Sequence, residues 1–178
     1  EHWLMVPEIL REHARHAETG EAIPDSLIER LPAASKYDQG FSTVEYVASA
    51  MVDLDLHDGT TDGTGDLLAA ERATLARIGM PSAITMRHRS PHFLHIFSGY
   101  SYASGYYCYL WSEVMDADAF AAFTETGSAF NADVAKKLKA HVCSAGGSRD
   151  PADLYTAFRG RMPTVDALLA KRGLDQAA

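Results

Sequence analysis

A chain of 178 residues with a net charge of −8 is long enough for one globular domain that buries about two-thirds of its unfolded surface. The acidic balance argues against a nucleic-acid partner, which needs a basic face, and no apolar run approaches the ~18 residues of a membrane span. Two cysteines, Cys108 and Cys143, lack CxxC or Cys/His spacing and read as reduced, buried thiols of a cytoplasmic protein.

Helix signals follow one another along the chain. Pro7 opens a helix with Ile9, Leu10, His13 and Ala17 on one face, and Pro24 opens a shorter one that runs through Leu31 and is stopped by Pro32. Ser42-Thr43-Val44-Glu45 has the form of a capping box, in which Ser42 and Glu45 satisfy each other's backbone amides. It starts a long helix in which Phe41, Val44, Val47, Met51 and Leu54 recur at helical spacing. The segment HDGTTDGTGD, residues 57–66, holds three glycines and three aspartates and is a surface loop. Leu68, Glu71, Leu75 and Ile78 mark the next helix, ended by Gly79 and Pro81. The run HFLHIF, residues 92–97, is the one stretch compatible with a strand. From Tyr106 a helix carries Tyr107, Leu110, Trp111 and Val114. Asn131 caps another, with Val134, Leu138, His141 and Val142, closed by Gly146-Gly147. Asp150-Pro151-Ala152-Asp153 starts the next, and Gly160 and Gly173 end the last two. The fold class is all-α, as a single helical domain over residues 1–178 with a Gly/Tyr-rich loop before a central helix.

Familiar metal and phosphate motifs are absent. In Glu12-His13-Ala14-Arg15-His16 the histidines are three apart and the glutamate precedes them, so this is a solvated helix face and not a zinc pair. His88, His92 and His95 lie close together, but Arg87 and Arg89 flank the first and repel a cation. Asp62 and Asp66 match EF-hand offsets, yet Leu67 stands where glycine is needed and Ala73 where glutamate is. GTTDGTG lacks the lysine of a P-loop, and Cys108 has no neighbouring cation to activate its thiol. There remains GYSYASGYYCYLW, residues 99–111, with five tyrosines and two glycines. A neutral phenol suits hydrogen bonding to a carbonyl oxygen that gains negative charge in acyl transfer, and glycines let a loop bring it in. Composition alone leaves both packing and function open for these phenols.

The stretch HFLHIFSGYSYASGYYCYLWSEVMDADAFAAF, residues 92–123, resembles the C-terminal signature of the thimet-oligopeptidase family of zinc metallopeptidases, in its bacterial peptidyl-dipeptidase and oligopeptidase A branch. PEILREHARHAETGEAIP, KYDQGFSTVEY, MRHRSPHF, GGSRDPADLYTAFRGR and VDALLAKRGL extend the likeness in order over nearly the whole chain. The resemblance implies that His95, Tyr102 and Tyr109 clamp the transition state of the scissile peptide opposite the zinc. Gly99 and Gly105 match its hinge glycines, Ser104 departs from its commoner alanine, and Tyr106 joins the substrate-binding set. Arg149 either meets a substrate carboxylate or makes a salt bridge at a helix cap.

The family's HExxH helix and its third zinc ligand have no counterpart in the 178 residues. The resemblance therefore implies a C-terminal fragment, with zinc in the full-length enzyme and none bound by this chain. The expected function is the substrate-facing part of a peptidase that cuts short peptides and releases C-terminal dipeptides. The isolated chain is expected to be inactive, partnered in the intact protein by its N-terminal part and prone to self-association through an exposed packing face. A rival reading is a truncated, non-catalytic helical module that binds peptides or a partner. A reading frame continuing upstream into HExxH, or a stop codon before Glu1, separates the two.

Overall fold

Prolines and capping side chains set where the helices begin. The structure, a computed structural model, describes residues 1–59 and 65–175. A 3-10 turn, His2–Met5, leads into α1 (Pro7–His13), with Pro7 at the first position, where a missing N–H costs nothing. The chain leaves the helix at Ala14, so Ala17 lies outside it, and Arg15 pairs with Ala22 in an isolated antiparallel bridge. Pro24 precedes α2 (Asp25–Ile28), and Pro32 sits in the first turn of α3 (Leu31–Ala34). Pro32 was expected to stop a helix and instead helps start one, since only an interior proline breaks the hydrogen-bond ladder.

Next come α4 (Gln39–His57) and α5 (Leu67–Arg77). Asp38, with a left-handed φ of 60°, precedes α4, so Ser42 already lies inside the helix and its amide donates to the Asp38 carbonyl at 3.1 Å. The predicted capping box is therefore not formed, because its first residue must be extended. Asp66 caps α5 by accepting from the amides of Leu68 and Ala69. The middle of the predicted 57–66 loop, including Asp62, lies outside the described residues. HFLHIF is a 3-10 turn (Ser90–His92) followed by α6 (Leu94–Phe97), and among the described residues there is no strand.

The remaining helices are α7 (Cys108–Thr124), α8 (Ala132–Leu138), which continues as a π-helical turn (Lys139–Cys143), α9 (Pro151–Arg159) and α10 (Asp166–Arg172). Asn131 and Asp150 cap α8 and α9 as predicted, and Gly160 and Gly173 end α9 and α10 with positive φ. The all-α class holds. Cys108 and Cys143 are both free but exposed, contrary to the buried reading, because each sits at a helix end turned to solvent.

The chain divides into two compact units, Glu1–Tyr37 with Glu113–Ala178, and Asp38–Ser112. In the second, Val52, Met86, Phe93 and Ile96 form a buried cluster flanked by Leu56, Leu75 and Tyr106. Buried Glu71 of α5 accepts from the Ser90 amide at 2.7 Å, the Ser90 hydroxyl at 2.8 Å and the Arg89 guanidinium at 3.0 Å. Of the predicted α4 stripe, Phe41, Val44 and Leu54 are exposed and Val47 and Met51 half-buried, while the residues α4 buries are Ala48, Ser49, Ala50, Val52 and Asp53.

The first unit packs Trp3 edge-on against Phe120 and Phe123, with the indole N–H donating to the Ala129 carbonyl at 2.7 Å. Its buried carboxylate is Asp118, which accepts from the Tyr155 hydroxyl at 2.8 Å, from Arg159 at 3.1 Å and from Arg161 at 2.6 Å. Burial pushes the Asp118 carboxyl up, but these three hydrogen bonds and the arginine charge outweigh it and hold it below the ordinary carboxylate range. A carboxylate lowered in this way stabilises the fold fully above its unfolded value of ~3.9 and loses that contribution as pH falls through the folded value. Asp118→Ala should therefore cost about 3 kcal/mol at pH 7, because it strands buried donors. Urea denaturation should show that deficit shrinking as the pH is taken below about 4.

Candidate functional site

The sequence-predicted tyrosine region lies in the second unit, and the core determines how it is presented. Around α6 the side chains of Phe93 and Ile96 are buried, which leaves His95 half-buried on the rim. The following loop advances in three-residue turns: the Tyr102 amide donates to the Gly99 carbonyl at 3.0 Å, Gly105 to Tyr102 at 3.2 Å and Cys108 to Gly105 at 3.1 Å. A Cβ on Gly105 would lie 3.2 Å from the Tyr102 carbonyl oxygen, whereas one on Gly99 would meet nothing within 4 Å. Of the two predicted hinge glycines, only Gly105 is needed for close approach. Ser104 takes a left-handed φ of 58°, rare for a residue with a side chain.

Four rings converge there. Tyr102 meets His95 edge to face at 4.9 Å between centroids, Tyr109 lies 5.8 Å from His95, and Tyr106 lies 5.6 Å from His95 and 5.4 Å from Tyr109. The Tyr109 hydroxyl and His95 Nε2 are 3.3 Å apart. Tyr102 and Tyr109 are 45% and 46% exposed, so both can be reached from solvent. Tyr106 is different in kind: it is half-buried, stacked on Tyr46 at 5.2 Å and edge-on to Phe93 at 4.9 Å. Burial raises its phenol, nearby Arg87 offsets part of that, and Tyr109 adds to it, leaving it a neutral hydroxyl across the physiological range.

One further residue holds this arrangement, and sequence reading missed it. Asp53, on α4, is 0% exposed, and its carboxylate accepts from the Ser104 amide at 3.1 Å and the Tyr106 amide at 2.8 Å. His57, one turn on, places Nδ1 2.9 Å from both the Asp53 carbonyl and its Oδ1, so this nitrogen carries the hydrogen. The Tyr106 carbonyl accepts from the Tyr46 hydroxyl at 2.5 Å, which secures the peptide from the other side. The available signal was an aspartate and a histidine four apart, Asp53 and His57, interleaved with Val52, Leu54 and Leu56.

The other candidates lie elsewhere. Arg149 is exposed in the first unit and has no hydrogen bond or ion pair among the described residues, and Asp150 beside it caps α9 through the Ala152 amide at 2.8 Å. His16 is a turn element, its Nδ1 accepting from the amides of Glu18 and Thr19 at 3.3 and 3.2 Å. Among the described residues no group of three or more His, Cys, Asp or Glu side chains converges to hold a metal ion. No helix among them is long and apolar enough to cross a membrane.

Comparison with known proteins adds a family. A sequence model of peptidase family M3 matches residues 1–174. The dipeptidyl carboxypeptidase of Salmonella typhimurium is 33% identical over 184 residues, covering 99% of this chain and 26% of that protein. Oligopeptidase A of Escherichia coli is 37% identical over 179 residues, with 98% of this chain and 25% of that protein covered. A probable cytosolic oligopeptidase A of Arabidopsis thaliana is 32% identical over 180 residues, at 98% and 25% coverage. The chain spans about a quarter of the length of these curated relatives.

The two loop glycines should respond differently to a methyl group. Gly105→Ala should cost about 1 kcal/mol by crowding the Tyr102 carbonyl. Gly99→Ala should be neutral or stabilise by about 0.5 kcal/mol through the unfolded chain. Urea midpoints of the two variants decide the matter, and equal midpoints would contradict the close approach at Gly105.

Proposed function

The chain belongs to peptidase family M3, and from that footing we propose that it is the C-terminal, substrate-facing part of a zinc peptidase that hydrolyses short peptides and releases C-terminal dipeptides. The observation that carries this reading is the meeting of His95, Tyr102 and Tyr109 on an open surface, with the Tyr109 hydroxyl 3.3 Å from His95 Nε2. The names of two relatives, a dipeptidyl carboxypeptidase and an oligopeptidase, supply the substrate class.

The chemistry follows from the donors. Hydrolysis of an amide turns its carbonyl oxygen into an oxyanion, and hydroxyls fixed beforehand around that position stabilise the charge without reorganising. Tyr109 donates its phenolic hydrogen to the oxygen, and His95 at 3.3 Å limits the directions its hydroxyl can take. Tyr102, packed edge-on to the same imidazole, supplies the second phenol to the oxygen or to a neighbouring peptide group. Tyr106 packs against the rings of His95 and Tyr109. The described residues do not themselves fit a zinc site. In this reading zinc and the general base are held elsewhere in the longer protein, whose N-terminal part is the partner of this chain.

Tyr109→Phe in the full-length protein should lower kcat by roughly 10- to 1000-fold, with KM and bound metal little changed. Steady-state kinetics on a short peptide together with metal analysis provide the check, and a native kcat would remove the phenol from the mechanism. A protein that binds such peptides tightly yet cuts none, with every variant alike, would favour the non-catalytic binding module.

A further inference from the structure

The reaction proposed above leaves unused the buried carboxylate that lies against the tyrosine loop. Asp53 is fully enclosed, and its carboxylate oxygens face two backbone amides of the tyrosine loop and one imidazole N–H. We propose that Asp53, braced by His57, is the positioning residue of the tyrosine wall, fixing the Ser104–Tyr106 turn and through it the orientation of Tyr102 and Tyr109 towards substrate. The inference rests on the reading that those phenols face the substrate.

The choice of side chain argues for the role. Two N–H groups aimed at one point need a partner with two acceptors and no donor, which a carboxylate provides and an amide side chain does not. Serving them is demanding, since a buried charge is tolerated only where hydrogen bonds replace its water. Ser104 pays for the geometry with its left-handed φ of 58°, a conformation that persists when the surroundings hold it. The two amides flank Gly105, the residue whose close approach to the Tyr102 carbonyl shapes the turn. The second arm reaches the histidine: the His57 ring lies 5.4 Å from that of Phe97, in the same short helix as His95. One carboxylate thus links the segment that carries the phenols to the helix that carries the imidazole. A small displacement of such a wall has a large effect on rate, because donors must meet an oxyanion to within a fraction of an ångström.

The test uses the full-length, metal-loaded protein. Asp53→Asn preserves size but sets an NH2 group against an amide donor. The expected result has three parts: faster hydrogen exchange at the Ser104 and Tyr106 amides, kcat lower by about 10- to 100-fold with KM within about twofold, and most of that loss missing in a Tyr102→Phe/Tyr109→Phe background. Unchanged exchange overturns the proposal, as does faster exchange with a native kcat. A loss just as large in the double-Phe background, which a general packing defect would produce, also overturns it. If Asp53→Asn does not fold, His57→Ala removes the brace and leaves the carboxylate. The same non-additivity is then expected, and full additivity counts against the idea. A double-Phe variant with native kcat defeats the phenol reading and the inference together. A slow double-Phe variant with an additive Asp53→Asn loss defeats only the role of Asp53.

Discussion

The second unit depends on one buried carboxylate meeting two backbone amides. Asp53 accepts from Ser104 at 3.1 Å and from Tyr106 at 2.8 Å, and no other group in the loop is held by an acceptor so far from water. Loops otherwise leave such N–H groups to solvent, where they impose no geometry. Here the loop is tied to the longest helix of the chain, so the position of its phenols follows from the packing of α4.

That tether divides the tyrosines into two kinds. Tyr106 has its amide, its carbonyl and its ring engaged, by Asp53, Tyr46, Phe93 and the His95 and Tyr109 rings. It is a packing residue with a hydroxyl. Tyr102 and Tyr109 rest on the same imidazole yet keep nearly half their surface in solvent, and Tyr100 is fully exposed. The phenol-rich stretch thus holds one packed phenol, Tyr106, and others that are open to solvent.

The first unit handles its buried carboxylate in another way. Asp118 is met by two guanidinium groups and a phenol, with Glu125 sharing Arg159, so its charge is compensated by ions. Asp53 is met by dipoles and a histidine. The arginine cluster secures helix on helix, α7 to α9, as a local device of stability. The dipole cluster orders a loop.

Much of the helical frame was legible from residues three or four apart: Pro7, Asn131 and Asp150 start helices, and Gly160 and Gly173 end them, because caps act within one turn. The family was legible too, since the order of HFLHIFSGYSYASGYYCYLW and its companion segments survives without any coordinates. His95, Tyr102 and Tyr109 could be named, but not that their rings would meet. What the sequence hid was the face α4 buries. Hydrophobic periodicity pointed to Phe41, Val44, Val47, Met51 and Leu54, of which Val47 and Met51 are half-buried and the rest exposed, while the fully buried face carries Ser49 and Asp53. Periodicity ranks a carboxylate as a surface residue, and it is partners 51 and 53 positions away, the Ser104 and Tyr106 amides, that make its burial favourable. Local hydrogen bonds and the family signature were therefore determined by the sequence itself. Which phenols are packed and which are presented was decided by tertiary structure, because that depends on contacts between residues that chain order keeps far apart.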